Sequence, residues 1–397
     1  MLASFSCRVA NQGKALIKAT NVHIRSALSS GSPLLHLSQA RYASSSSSST
    51  EASGTVMVSI QEAQDTTARA LEAIGWDTED ARLQAEIMTA AELCGNNQGL
   101  VKMYQPNLMA PTKDASKPTI ERETVTSAVV NGNQSPGMLA AVTAADLVVQ
   151  KVKGGPQQAG SSTSRSAIAV VCSYNTSTSS GQLGFYTDRI AKHGLIGIAM
   201  ANSPEFVAAA PGSRPVFGTN PISVAVPTSD TPIVFDMATS AIALFGVLTA
   251  KATGQPLPHG VAYGKDGNIT TNPTEALEGG AIAPFGGHKG AGLSLCVEIL
   301  AGVLSGGAVL GQCESKKLAK NWGHTFIAID PHFLVDDFPS KAASVIATVK
   351  QSGEGIRIPG EQSAATAAKR LQEGHIPIPE SVWKSIVRTS KEGLSSP

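Results

Sequence analysis

The stretch Phe285–Gly307, FGGHKGAGLSLCVEILAGVLSGG, constrains this chain more than any other. Glycines crowd around His288 and Lys289, an apolar segment of helical length follows, and the pair Gly306–Gly307 closes it. Glycine lets backbone approach a neighbour or a ligand closely, and the start of a helix leaves N–H groups unsatisfied that favour anions. With Lys289 beside them, these residues can seat a phosphate or a carboxylate. Equally, the glycines can serve only to pack a buried helix. Two polar side chains on a glycine loop are poor core material, which sets His288 and Lys289 apart as candidate functional residues.

The chain has 397 residues, 42% of them hydrophobic, and a net charge of +1. That content supports one large or two ordinary domains. Balanced charge argues against nucleic acid as a partner, since that needs a basic excess or stripe. No uninterrupted apolar run reaches the roughly 18 residues of a membrane-spanning helix, so no membrane partner is expected. Cys7, Cys94, Cys172, Cys296 and Cys313 share no CxxC spacing and fall mostly in apolar runs. They are expected as reduced, buried thiols, with no metal site.

No Asp or Glu precedes Glu51, while Arg8, Lys14, Lys18, Arg25 and Arg41 supply positive charge among abundant Ser and Ala. This is the composition of a mitochondrial transit peptide rather than of a secretory signal with a continuous apolar core. Residues 1–54 are therefore expected to be a transit peptide and serine-rich linker, directing the protein to the mitochondrial matrix.

Beyond it, apolar residues at helical spacing predict a helix over 58–74 and another over 78–94 with Thr78 as N-cap. The polar segment GNNQG, Gly95–Gly99, stops the second and begins an amphipathic run through Lys102 and Tyr104. Strands are predicted at Glu123–Asn131, Ala167–Cys172, Gly197–Ala201 and Ile222–Val226, and helices at Met138–Val152, Gly184–Lys192 and Gln362–Leu371. The layout is mixed α/β, with helices contributed by both ends of the chain. A Rossmann fingerprint is missing, as are Walker A, HExxH and GxSxG motifs, so a standard nucleotide fold is not supported.

Four blocks in fixed order carry a resemblance: Phe217–Val226 (FGTNPISVAV), Pro232–Ser240 (PIVFDMATS), the 285–307 segment, and Gly323–Pro331 (GHTFIAIDP). Weaker matches continue at Arg357–Glu361 (RIPGE) and Ile376–Trp383 (IPIPESVW). Together they resemble the malate/L-lactate dehydrogenase family that is unrelated to Rossmann-type enzymes and includes ureidoglycolate, sulfolactate and diketogulonate oxidoreductases. The resemblance covers about residues 57–390, essentially the whole chain after the targeting segment.

It implies a homodimeric oxidoreductase binding NAD or NADP, with a non-Rossmann α/β fold in which a central mixed sheet is framed by N- and C-terminal helices. The expected division is a helical part at 55–115, a cofactor-binding α/β domain at 116–312, and a segment at 313–397 that packs back on the helices. The implied reaction moves hydride between nicotinamide and C2 of a small 2-hydroxy or 2-oxo acid, or a related cyclic imine acid. Such chemistry needs a cation for the carboxylate, an acid/base for the hydroxyl proton, and the nicotinamide against C2.

The family usually carries Asp-Ser-His-Gly followed by an arginine; here the matching residues are Asn96, Asn97, Gln98, Gly99 and Lys102. Gln98 can hydrogen-bond a substrate oxygen but cannot exchange a proton. Lys102 keeps a positive charge for the carboxylate without the bidentate fork. A second family histidine corresponds to the neighbourhood of Thr178, and the lysine common after DMATS is replaced in the neighbourhood of Val247. On the cofactor side, Asn202, Ser203, Thr219, Asn220, Gly360 and Glu361 match family positions, with Thr178, Asp236 and Lys289 as further candidates. Catalysis would then involve Gln98 and Lys102, with His288 or a bound water as proton source. The rival expectation is a catalytically silent paralogue that binds dinucleotide or metabolite.

Overall fold

The computed structural model describes residues 54–394, apart from 97, 155–164 and 311–320. The expected targeting segment, Asn97, Cys7 and Cys313 therefore lie outside the described residues, Gly54 excepted.

The chain opens with β1 (Thr55–Ser59), then α1 (Ile60–Ala73) and α2 (Thr78–Leu93). The 58–74 periodicity thus spans a strand end and a helix, and the break falls at Ser59, whose hydroxyl caps α1 by accepting the Glu62 N–H. For α2 the cap is Asp77, which accepts the Asp80 N–H, and Thr78 is the first helical residue. A carboxylate at the cap suits the positive end of the helix better than a threonine would.

The central body is a seven-stranded sheet made of β2 (Thr119–Glu123), β3 (Ser127–Asn131), β4 (Ile168–Thr176), β5 (Ile196–Ala201), β8 (Ile222–Val226), β9 (Ile233–Met237) and β12 (Trp322–Ile329). The order is β2-β3-β4-β12-β5-β8-β9. What the sequence suggests as one strand at 123–131 holds the last residue of β2, the hairpin turn, where Thr124 receives the Ser127 N–H, and the whole of β3. Only β3 and β4 run parallel within this sheet, and the α-helix α3 (Gly137–Lys153) makes the crossover that parallel neighbours require. It is Ala- and Val-rich, begins behind Pro136 and ends at Gly154 with φ 82°.

On the α3 face the core centres on Phe326 of β12, whose ring meets Tyr186 edge-on at 5.8 Å. Tyr186 belongs to α4 (Gly184–Ala191), which covers the same face. The opposite face receives Val297 and Ala301, which pack with Met200. A smaller four-stranded sheet, β6 (Val207–Ala208), β7 (Pro215–Phe217), β10 (Ala262–Tyr263) and β11 (Ala281–Ile282), has its own core of Val207, Phe217, Val247 and Ile282. The helices α5 (Leu244–Thr253) and α6 (Pro273–Leu277) lie along this part of the chain, and α7 (His288–Val297) continues into a π-helical turn, Glu298–Val303.

The C-terminal segment contains α8 (Phe338–Gln351), α9 (Glu361–Glu373), β13 (His375–Pro379) and α10 (Glu380–Glu392). β13 pairs antiparallel with β1, and α10 buries Val382 and Ile386 in the same core as Leu71 and Ile74 of the first helical hairpin. The two ends of the chain therefore form one frame. The expected boundary at 312 does not separate frame from sheet, however, because β12 comes from the C-terminal segment and lies in the middle of the central sheet. Burial also divides the thiols: Cys172 is buried, while Cys296 is exposed on α7, against the expectation of a buried group. No helix among the described residues is long and apolar enough to cross a membrane.

Candidate active site

Three chain segments meet around Lys102. The first is the loop after α2. A Cβ at Gly99 would stand 2.1 Å from the Met88 carbonyl oxygen, so only glycine lets the chain fold back on the helix here. The half-buried Glu92 carboxylate accepts the Leu100 N–H at 3.1 Å, and the Asn96 side chain accepts the Gln98 N–H at 3.0 Å. Desolvation raises the Glu92 carboxyl to about 7, against the lowering effects of that N–H and of Arg370. Lys102 then falls on a short 3-10 turn, Leu100–Tyr104.

The second segment follows β4. Thr178 is buried and its carbonyl takes the Gly137 N–H at 3.1 Å, while the Tyr186 hydroxyl donates to the Ser180 carbonyl at 2.6 Å. These bonds fix the backbone on both sides of Ser179. The third is the start of α5, which presents Phe245.

The Lys102 ammonium donates to the Ser179 hydroxyl at 2.8 Å and lies 4.9 Å from the centre of the Phe245 ring. The residue is only 8% exposed, and desolvation alone lowers its pKa to about 8. Among the described residues no carboxylate comes within ion-pair distance of it. A buried cation with one hydroxyl and one aromatic face is under-compensated.

Gln98 shares the first loop and is half-buried, with its carbonyl oxygen 3.7 Å from where a Cβ on Gly181 would stand. The Thr178 hydroxyl contacts the Ser179 carbonyl at 3.4 Å. Lys102, Gln98 and Thr178 are thus brought together by folding, with Ser179 and Phe245 as members that sequence reasoning did not single out. A hydroxyl in a serine-rich loop and a phenylalanine in an apolar helix carry no signal of their own.

The remaining candidates fall elsewhere. Asn202, Ser203, Thr219 and Asn220 belong to a buried polar network around Glu298, which is 3% exposed at the head of the π turn. Glu298 accepts the Asn202 amide at 3.2 Å, the Asn220 amide at 2.8 Å and the Leu310 N–H at 3.2 Å. The Ser203 hydroxyl accepts the Thr219 N–H at 3.1 Å, and the Thr219 carbonyl takes the Thr239 N–H at 2.9 Å. The amides of Asn202 and Asn220 and the Ser203 hydroxyl are spent inside the protein, while the Asn220 Oδ1 is buried without a protein partner among the described residues. Glu298 had a readable signal, as the one charged residue in the apolar run 291–304.

Asp236 on β9 accepts the Gly184 N–H at the start of α4, at 2.8 Å, and desolvation pushes its carboxyl up to about 6. Gly360 presses on β9, where a Cβ would stand 2.8 Å from the Val234 carbonyl oxygen. Glu361 pairs with Lys350 and accepts the Ile358 N–H at 2.9 Å, which together hold its carboxyl below the usual range.

The glycine block resolves into two kinds of position. Gly290 is a packing residue, its Cβ position lying 2.0 Å from the Phe285 carbonyl oxygen. Gly286 and Gly287 instead have φ of 56° and 62° and open space around them. Directly after them, His288 and Lys289 are exposed at the first turn of α7.

A family model for malate/L-lactate dehydrogenase matches residues 58–387. The chain belongs to the malate/L-lactate dehydrogenase family. A malate/(S)-sulfolactate dehydrogenase of Methanothermus fervidus is 32% identical over 329 residues, covering 80% of this chain and 93% of that protein. A Δ1-pyrroline-2-carboxylate/Δ1-piperideine-2-carboxylate reductase of Pseudomonas putida is 50% identical over 118 residues, 30% of this chain and 35% of that protein. Among solved structures, a malate dehydrogenase of Entamoeba histolytica superimposes with a TM-score of 0.75 at 27% identity, covering 85% of this chain and 98% of that one.

For a member of this dehydrogenase family, the open Gly286–Gly287 turn fits an anionic dinucleotide. Backbone of residues 286–289 and the Lys289 ammonium would hold its phosphates, and the nicotinamide supplies hydride when bound. No cluster of metal-ligating side chains occurs among the described residues.

Asp236 gives a pH-dependent prediction. Its folded pKa is raised, so the stability it contributes is present below the ordinary carboxylate range near 3.8 and is lost as pH rises through about 6. Asp236→Asn, which keeps the acceptor for Gly184, should make urea-unfolding stability less dependent on pH between 4 and 7, by roughly 1–3 kcal/mol. Asp236→Ala should instead lose about 1–3 kcal/mol at pH 5, because the Gly184 N–H loses its acceptor.

Proposed function

We propose that this family member is an NAD- or NADP-dependent oxidoreductase that moves hydride between nicotinamide and C2 of a small 2-hydroxy or 2-oxo acid. The observation that carries the proposal is Lys102, a buried cation whose surroundings supply a hydroxyl and a ring but no counter-charge. A substrate carboxylate completes the pairing that the folded chain leaves open, and leaving a buried charge unpaired is costly. The relatives named for malate, sulfolactate and cyclic imine carboxylates share that feature, a carboxylate adjacent to the reacting carbon. Gln98 lies on the same loop, where its amide can hydrogen-bond the substrate.

Oxidation of NADH and NADPH against a panel of 2-oxo acids and cyclic imine acids tests this reading. Turnover with at least one is expected, and Lys102→Met should raise KM at least 30-fold, the loss of about 2 kcal/mol or more. Cofactor binding by calorimetry with no turnover on any of them would overturn it. That result would favour the silent paralogue, a reading supported by a glutamine and a threonine at the family's histidine positions.

We also propose mitochondrial import, supported by the basic, acid-free composition of residues 1–50. The protein isolated from organelles should begin near residue 43–54, and a mature chain starting at Met1 would overturn this.

A homodimer is the third part of the proposal. Leu295, Ile299, Leu300, Val303 and Leu304 form an exposed apolar face on α7 and the π turn, and α8 and α9 bury no residue. A contiguous face of this kind is costly to leave in water and suits a self-complementary contact. Light scattering after gel filtration should give twice the chain mass, and Val303→Asp should shift the protein towards monomer; a monomeric wild type at micromolar concentration would refute the dimer.

A further inference from the structure

We infer that Lys102 is the proton donor of the reaction as well as the anchor for the substrate carboxylate, taking the part that a histidine would play. The inference rests on the oxidoreductase reading above. Its starting point is that the two histidine positions hold Gln98 and Thr178, neither of which can exchange a proton near neutral pH.

The groups facing Lys102 leave it without a competitor. The loop Ser177–Gln182 and the start of α5 at Leu244–Val247 contain no ionisable side chain. On its own turn Tyr104 is 55% exposed. From α2, Glu92 is turned to the Leu100 N–H, and Arg370 of α9 bonds the Glu92 carbonyl. From α10, Ser385 donates to the Met103 carbonyl, with Lys384 and Arg388 on the exposed side of that helix. His288 is exposed on α7, and His324 is buried in β12 against Ser173, where desolvation lowers it to about 4.

An arginine at this position could hold a carboxylate but could not give up a proton, whereas a lysine can do both. Burial makes the neutral amine accessible, which is why Lys102 titrates near 8 rather than in the usual range. Geometry allows the double role. The ammonium has three N–H groups, of which Ser179 takes one. A 2-oxo acid carries a carboxylate oxygen and the C2 oxygen on adjacent carbons, so one ammonium can contact both.

In reduction, hydride from the reduced nicotinamide dinucleotide forms a C–H bond at C2, and the carbonyl π pair moves onto oxygen. That oxygen takes a proton from the Lys102 Nζ, leaving a hydroxyl and a neutral amine. Ser179, half-buried and hydrogen-bonded to the amine, can return the proton from water. In oxidation the neutral amine accepts the hydroxyl proton.

Three measurements on the full-length mature protein test this. In wild type, kcat for reduction should fall as pH rises through about 8, and kcat for oxidation should rise over the same range. Lys102→Arg should bind the unreactive analogue oxamate within about threefold of wild type yet lose roughly 10²–10⁴-fold in kcat, with the pH step near 8 abolished. Independently of turnover, calorimetry at pH 9 in buffers of different ionisation enthalpy should show wild type taking up most of a proton on binding oxamate, and Lys102→Arg taking up none. Wild-type binding at pH 9 without proton uptake overturns the proposal and needs no variant to fold. Lys102→Arg that keeps wild-type kcat and pH profile overturns it alone, leaving Lys102 a carboxylate anchor. Wild type that turns over no substrate overturns both this assignment and the oxidoreductase reading.

Discussion

The insertion of β12 between β4 and β5 is the constraint on which the rest of the structure depends. Both neighbours pair with it antiparallel along most of its length, so its backbone N–H and C=O groups and theirs are satisfied only together. Phe326 from the same strand fills the core on the α3–α4 side, while the Thr325 hydroxyl bonds the Leu300 carbonyl on the other at 2.6 Å. Both neighbours then end in loops that the chain's polar groups depend on: β4 runs into the segment that carries Thr178 and Ser179, and β5 into Asn202 and Ser203 of the network around Glu298. A strand contributed late in the chain therefore sets the positions of loops contributed early.

Around that sheet the protein buries charge in two contrasting ways. Glu298 is surrounded by two amide groups and a backbone N–H, so its carboxylate is fully hydrogen-bonded though far from any cation in the network described. Lys102 has one hydroxyl and an aromatic face. The first arrangement is self-sufficient and knits β5, β8 and α7 together. The second is incomplete within the protein, and that imbalance is what the proposed carboxylate partner would relieve.

Much of the fold was legible in the sequence. Periodicity located α3, α4, β5 and β8 closely, because each has a buried face whose spacing survives in the residue order. It failed where two elements share one apolar pattern, at the β1–α1 junction and the β2–β3 hairpin, since alternation does not mark where the backbone turns. The family blocks identified the fold, but matching positions did not by themselves distinguish a ligand group from a structural one. Asp236 caps α4, Gly360 packs on β9, Glu361 bonds Lys350 and the Ile358 N–H, and Asn202 and Asn220 bind Glu298. Those roles depend on partners between 3 and 126 residues away in sequence.

The glycine block shows the division most clearly. Its order of residues determined that a tight turn would lead into an apolar helix, and positions 98 and 178 offer a glutamine and a threonine. Only the tertiary structure decided which glycines pack and which stand open, because that depends on the atoms that surround each Cα. It also decided that Lys102 is desolvated beside Ser179 and Phe245, 77 and 143 positions further along the chain. Burial of a charge is a property of everything folded around it, and no local stretch of sequence contains it.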